Sequence, residues 1–488
     1  MRRQSEAEER GVASFFAEPR ADPDRPRVCH GTACGLAGAT PEPGERGAYC
    51  LGYCDRGPAS LDAAGCARGP DQRELDPQPA IRALGPALVT ARVAAGDCSG
   101  LEAARAAGVW QTLEQAVMRP ARDVLDAMIA SGERGRGGAG FPTGRKWQAC
   151  ASAAGPKVVV ANGDEGDPGS FVDRVLMELD SHAVLEGLAL CAFAVGAEEG
   201  MVYVRGEYPR AAERMERAVN EARRAGWLGE ALEGSGFRFD VQVRRGRGSY
   251  VCGEETALLN ALEGRRGEVR LRPPYPTESG LDGLPTVVNN VETLVNVPWI
   301  VGRGAEAYAA LGTHASSGTK ALCLARGFAR PGIMEVPFGT SLRQVVEGHG
   351  GGGRDGRAIR ALCLGGPMGS VALPGNWDVP VCYAAMREHG LELGHGGIVP
   401  VLEGDDPRAL LHHWLGFFAD ESCGKCAPCG LGSRRALAML EAGAARRDLE
   451  ALLEVIAAAS LCAFGQRLPA TVQELLVGFG DEIFGGPA

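Results

Sequence analysis

The run Cys423-x-x-Cys426-x-x-Cys429, followed later by Cys462 within Ser460-Leu-Cys-Ala-Phe464, sets out four thiols in a pattern that iron–sulfur chemistry can use. A [4Fe–4S] cubane offers four iron corners, each satisfied by one thiolate. Three closely spaced thiolates on one loop reach three adjacent corners, and the fourth arrives from elsewhere in the chain. Gly424 and Gly430 give that loop freedom to wrap a cluster. A zinc site with four cysteine ligands is the alternative. Zinc sites usually pair two C-x-x-C units, so the three-plus-one spacing favours iron–sulfur. A second group near the N-terminus reads Cys29-x4-Cys34 and Cys50-x3-Cys54. Eight more of the 16 cysteines are scattered and read as small buried hydrophobes. In a reducing compartment clustered thiols are better metal ligands than disulfide partners.

Four further segments carry residues suited to holding a cofactor. Gly135-Arg-Gly137-Gly138-Ala-Gly140-Phe141, with Lys146 close behind, contains a formal G-x-G-x-x-G. Val124 to Ala130 ahead of it reads as helix, so the strand that a dinucleotide fingerprint requires is missing. What remains is backbone able to approach a flat ligand or a phosphate; a surface loop is the bland alternative. Asn162-Gly-Asp164-Glu165-Gly-Asp167-Pro-Gly169 follows an apolar strand, where ligands bind in open α/β sheets. Taken alone it is a solvated turn. Tyr250-Val-Cys-Gly253-Glu254-Glu255 opens a helix, and acids there ordinarily complement the helix dipole. Asn289-Asn290-Val-Glu-Thr293 pairs two amides that both donate and accept.

The elements that must position these residues are legible in outline. Lys157–Ala161, Met201–Arg205 and Phe237–Val243 read as buried strands, separated by helices, which implies a layered α/β unit. A helix runs from Pro209 to about Ala225. Between 316 and 400 short strands such as Lys320–Leu324 and Ala361–Gly366 form a small α+β module. From 401 to 488 the chain is largely helical. Residues 1–75 form a Gly- and Pro-rich cysteine segment, 76–115 a helical linker, and 116–315 the main α/β unit. At 488 residues the chain exceeds one core. Its 45% hydrophobic and 23% charged content is that of a water-soluble globular protein. A net charge of −10 argues against general nucleic-acid binding. The lack of a long apolar run or a signal-type N-terminus argues against membrane insertion and for a cytoplasmic location.

In this order, the five motifs closely resemble the NADH- and FMN-binding subunit of respiratory complex I. They equally resemble the diaphorase subunits of NAD-dependent formate dehydrogenases and NAD-reducing hydrogenases. The resemblance covers about three quarters of the chain. It implies a multi-domain α/β fold: a Rossmann-like FMN and NADH domain, a ubiquitin-like β-grasp module and a C-terminal helical bundle carrying the [4Fe–4S] cluster. It places FMN against Gly135, Gly137, Gly138, Gly140, Lys146, Asn162, Asp164, Tyr250, Gly253, Glu254, Asn289, Asn290 and Thr293. Glu165 and Asp167, in the same acidic loop, count among the cofactor-binding residues. NADH is placed over the flavin, with adenine stacking on Phe141 and Tyr275, Arg272 at the phosphates and Glu255 near the ribose. A carboxylate there favours NAD over NADP.

The sequence departs from the family pattern at Ala149, where a second stacking aromatic can occur, and at Asp167, where a longer Glu is common. Arg272-Pro-Pro-Tyr275 replaces the usual Lys and Phe and leans toward the formate dehydrogenase β subunits. The N-terminal pairs resemble a thioredoxin-like [2Fe–2S] ferredoxin, although only 15 residues separate Cys34 from Cys50. A [2Fe–2S] cluster in a trimmed domain is favoured over a remnant or a zinc-bound docking unit. The implied activity is hydride exchange between NAD(H) and FMN, then single-electron transfer to the cluster, in a complex with other iron–sulfur subunits. No catalytic side chain is required. A non-catalytic electron wire that lost nucleotide binding is the competing class.

Overall fold

The computed structural model describes residues 6–16, 25–229, 232 and 234–485. Residues 1–5 and 17–24 of the expected N-terminal segment, and 486–488 of the C-terminal helical region, lie outside the described residues. No helix among those described is long and apolar enough to cross a membrane.

The strands expected in the α/β unit appear as Val158–Gly163, Glu199–Val204 and Asp240–Arg245, joined by a fourth, Thr286–Asn290. All four are parallel, in the order 240–245, 199–204, 158–163, 286–290. Val158 to Ala161 are buried, as a strand covered on both faces requires. The third strand begins at Asp240 rather than Phe237, because the Phe237 backbone closes the preceding turn, its carbonyl accepting from the Leu232 amide at 2.8 Å and its amide donating to the Ser235 hydroxyl at 3.1 Å. The helix Ser181–Val195 is buried on nearly every side and lies against the helix Val291–Arg303, forming a core layer.

A second, six-stranded sheet runs 370–372, 359–364, 397–402, 319–324, 332–337, 81–83. The last strand, Ile81–Ala83, pairs in parallel with Gly332–Pro337, so the expected helical linker contributes a strand as well as short helices. The difference has a physical cause. Three residues show no period of their own, and the strand exists only because a partner edge is present.

Glu335 fixes that arrangement. Buried on the neighbouring strand, its carboxylate accepts from the amides of Leu88 (2.8 Å), Val89 (3.1 Å) and Thr90 (2.8 Å), and from the hydroxyls of Thr90 and Thr319. Glu335→Gln turns an acceptor-only group toward this ring of donors into one that is half donor. We expect unfolding free energy to fall by about 2–5 kcal/mol, read from a denaturant midpoint, because buried donors lose a charged partner.

A small four-stranded sheet ordered 46–48, 27–29, 60–61, 67–68 carries Cys29, the short helix Thr32–Gly35 carries Cys34, and Cys50 and Cys54 lie in the loop after residues 46–48. The C-terminal region packs four helices, Pro407–Glu421, Ala427–Glu441, Arg446–Ala459 and Ala463–Phe484.

Candidate cofactor and electron-transfer site

The chain steps from Val158–Gly163 outward to two successive strands, then returns with Thr286–Asn290 on the opposite side. The crevice at the carboxyl ends of 158–163 and 286–290 is thus a topological switch point, where open α/β sheets bind ligands. Asn162 and Asn290 are direct neighbours across these two strands. Asn162 donates to the Gly253 carbonyl at 2.9 Å and accepts from the Asp164 amide at 3.1 Å, joining the acidic loop to the 250–255 turn. Asn289 accepts from Trp147 Nε1 at 2.8 Å. Asn290 caps the helix that follows, accepting from the Thr293 amide at 3.2 Å. The two asparagines end a strand and begin a helix.

The Gly-rich loop enters the same crevice. Thr293 Oγ1 accepts from the Arg136 amide at 2.8 Å, and Tyr383 donates to the Gly135 carbonyl at 3.1 Å. Gly138 holds φ +115°, a conformation closed to residues with a Cβ. Lys146, on the helix Thr143–Ala151, places Nζ 2.9 Å from Glu255 and 3.0 Å from the Val288 carbonyl.

The acidic loop is buried rather than solvated. Asp164 keeps one buried oxygen, Oδ2, without a hydrogen-bond partner, and burial pushes its carboxyl well up. Asp167 is likewise raised by burial and accepts from the Tyr250 hydroxyl. Glu165 accepts from the amides of Asp173 (3.1 Å) and Arg174 (3.0 Å), and burial raises it to about 8. Asp173 and His395 complete this cluster, and nothing in the sequence singles out either. His395 Nε2 lies 2.8 Å from Asp173 and 3.2 Å from the Asn290 amide nitrogen. Burial alone would lower the imidazole, but Asp173 and Glu165 hold it at about 9.

A raised folded-state value means that the protonated ring stabilises the fold fully below about pH 6.5, its ordinary value. That contribution is lost as pH rises through about 9, and the raised Glu165 acts in the same direction. We expect His395→Gln to flatten the decline in melting temperature between pH 6.5 and 9. An unchanged profile would remove this ring from the account.

The outer wall is charged and aromatic. Glu254 caps the helix Glu255–Leu262 through the Thr256 and Ala257 amides, so the dipole reading of that acid holds. Arg272 bridges Glu254 at 3.2 Å and Glu255 at 3.1 Å. Phe141 and Tyr275 are large aromatics left 52% and 53% exposed, open to a flat partner. Ala149 is exposed on its helix.

Both cysteine groups converge. Cys429 lies close enough to Cys423, Cys426 and Cys462 to feel the charge of each. Cys426 and Cys462 precede helices whose N-termini favour an anionic group. At the other end Cys29 hydrogen-bonds Cys34, and the sulfurs of Cys50 and Cys54 are 3.5 Å apart; Cys54 feels all three partners. A single zinc would draw four thiolates to about 3.8 Å from one another. Among the described residues, the set of three or more possible ligand atoms lying within 4.8 Å of one another is Glu165, Asp173 and His395, not either cysteine group. The N-terminal set, in two close pairs, fits two irons with two thiolates each.

The two ends of the site meet. The Tyr250 amide donates to Glu421, two residues before Cys423, at 2.9 Å. The Tyr250 ring lies 5.7 Å from Phe464, two residues after Cys462. The Cys423 lobe is therefore built directly onto the 250–255 turn.

Residues 128–299 match the Nuo51 FMN-binding domain, and residues 409–484 match the NADH-ubiquinone oxidoreductase-F iron-sulfur binding region. The chain is 43% identical over 373 residues to the NADP-reducing hydrogenase subunit HndC of Solidesulfovibrio fructosivorans, covering 75% of this chain and 76% of that one. It belongs to the Nuo51 family. A subunit of the NADH-quinone oxidoreductase of Rhizobium meliloti is 43% identical over 369 residues, 74% of this chain and 88% of its own length. A chain of a crystallised NAD+-reducing [NiFe]-hydrogenase superposes with a TM-score of 0.83 at 31% identity, covering 98% of this chain and 88% of that one. As a Nuo51-family protein this is an FMN-dependent NADH oxidoreductase subunit with a [4Fe–4S] binding region, and its mixed α/β fold with a parallel sheet agrees with that membership.

Proposed function

We propose that the chain is a diaphorase subunit, exchanging electrons between NAD(H) and single-electron carriers inside a larger redox assembly. FMN, when bound, supplies the conversion between a hydride's two electrons and the single electrons an iron–sulfur cluster takes. The observation that carries the reading is the Tyr250–Gly253 turn, tied on one side to Asn162 and on the other to Glu421 and Phe464.

The chain's own residues bind and orient. The orphaned Asp164 oxygen and the open Gly138 backbone fit a flat ligand rich in polar edges. Asn162, Asn289, Asn290 and Thr293 frame it, with Gly135, Gly137, Gly140, Lys146, Tyr250, Gly253 and Glu254 around it. Glu165 and Asp167 line the buried side. Phe141 and Tyr275 would stack adenine, Arg272 would meet phosphate and Glu255 the ribose. Cys423, Cys426, Cys429 and Cys462 would ligate the [4Fe–4S] cluster, and Cys29, Cys34, Cys50 and Cys54 a [2Fe–2S] cluster. No side chain acts as nucleophile or general acid; the contribution is orientation and local charge. The domains follow accordingly: a trimmed thioredoxin-like segment, a Rossmann-like unit, a β-grasp module and a helical cluster lobe, in a cytoplasmic subunit.

The hydrogenase chain's match across 98% of this chain supports a hydrogenase-type assembly. The Arg272-Pro-Pro-Tyr275 run supports a formate dehydrogenase-type one. Anaerobic titration of the purified protein tests the core of the reading. One equivalent of NADH should bleach the flavin absorbance, and NADPH should do so with at least about tenfold lower efficiency, given the Glu255 carboxylate. A protein with iron–sulfur absorbance but no flavin band, or with a flavin that NADH leaves unbleached, would make it an electron wire, and a colourless one would overturn the reading altogether; equal efficiency with NADPH would remove Glu255 as the discriminating group.

A further inference from the structure

Arg205 follows the central strand Glu199–Val204 and is 5% exposed. Its Nη1 donates at 3.0 Å to the carbonyl of Cys50 and at 2.9 Å to the carbonyl of Glu165. One nitrogen thus joins the backbone of an N-terminal thiol residue to the acidic loop beside Asn162, across 155 and 40 residues of sequence respectively. The guanidinium has Glu207 at 3.3 Å and Asp164 at 3.9 Å from Nε, and it stacks over the Tyr208 ring. Tyr208 in turn donates to the Glu165 carbonyl at 3.2 Å.

The surroundings hold the contact rigid. Arg174 donates to the Gly52 carbonyl at 2.8 Å, and the Arg326 amide donates to the Cys54 carbonyl at 2.9 Å. A Cβ on Gly52 would stand 2.8 Å from both Arg174 and the Tyr208 hydroxyl, so the Cys50–Cys54 loop is pressed against the α/β unit. The loop cannot move away from Arg205 without exposing several buried donors at once.

We propose that Arg205 is a positioning residue that couples the N-terminal cluster to the flavin site. The inference rests on the cofactor assignments made above. A buried cation between two centres that each gain negative charge on reduction favours the reduced state of both, and low local polarity strengthens the effect. Its hydrogen bond to the Cys50 carbonyl also withdraws charge from the cluster loop. Glu207 partly neutralises the guanidinium and sets how far the effect reaches.

The test is a redox titration of the full-length holoprotein, following the [2Fe–2S] signal by low-temperature EPR and the flavin by absorbance. In Arg205→Gln the ratio of reduced to oxidised cluster at a fixed potential should fall at least tenfold, a 59 mV shift for a one-electron couple. The flavin should shift in the same direction. Arg205→Lys, keeping the charge, should restore most of both shifts. Glu207→Gln, which removes the neutralising carboxylate but leaves the guanidinium and its two Nη1 bonds in place, should move both centres the opposite way, and it remains informative if Arg205→Gln folds poorly. Unshifted potentials in Arg205→Gln with full cofactor content, or in Glu207→Gln, would overturn the coupling while leaving the cofactor assignments standing. A wild-type protein with no [2Fe–2S] signal would overturn both.

Discussion

Replacing Cys429 with serine should remove about four iron atoms per chain and the [4Fe–4S] EPR signal, since each corner of the cubane needs its thiolate. Cys429 sits in the first turn of the helix Ala427–Glu441, its sulfur 3.2 Å from the Ser422 hydroxyl. Serine fills the same space, so the helix and its packing survive while the soft ligand is lost. NADH-driven reduction of a one-electron acceptor should fall at least about 100-fold, equivalent to about 2.7 kcal/mol on the barrier. NADH should still bleach the flavin, because the 135–140 loop and the switch-point asparagines are untouched. Iron content and turnover equal to wild type would end the cluster assignment, and one tightly bound zinc in place of iron would establish the alternative site.

Gly138→Val should abolish flavin retention and spare both iron centres. At φ +115° a β-branched side chain has no unstrained conformation, so the loop must reorganise or carry the strain. A backbone penalty of about 2–3 kcal/mol weakens binding roughly 30- to 150-fold if it falls on the loop that receives the ligand. The flavin-to-protein ratio after gel filtration reads this directly. Gly155→Val supplies the comparison: that glycine also has positive φ, 81°, but faces open space before the strand Val158–Gly163. It should reduce stability and keep its flavin. Equal flavin content in the two variants would show that the Gly-rich loop does not hold the cofactor.

The local elements are largely readable from the chain. The valine run at 158 to 160 and the helix from Pro209 appear close to their expected bounds, because each carries its own periodicity or start signal. The short strand Ile81–Ala83 is not readable, since it depends on pairing with residues some 250 positions later in the chain. The acidic loop misleads when read alone: Asn, Asp, Gly and Pro suggest a solvated turn, yet Glu165 is buried and Asp164 and Asp167 are half-buried, with Tyr250 and His395 packed against the loop. Family resemblance rather than composition selects those residues. It offers no hint of Asp173, His395 or Arg205, none of which stands inside a motif.

Residue type and spacing set which chemistries are available: thiols in a three-plus-one run, a backbone stripped of side chains, paired asparagines and clustered acids. These are local properties. The tertiary structure alone decided which of them meet. Parallel strand order sets Asn162 beside Asn290, a histidine from outside the parallel sheet meets two buried acids, and one arginine joins the Cys50 loop to the Glu165 loop. Such meetings depend on pairings between segments far apart in the chain, whose closure entropy is met only when the whole core forms.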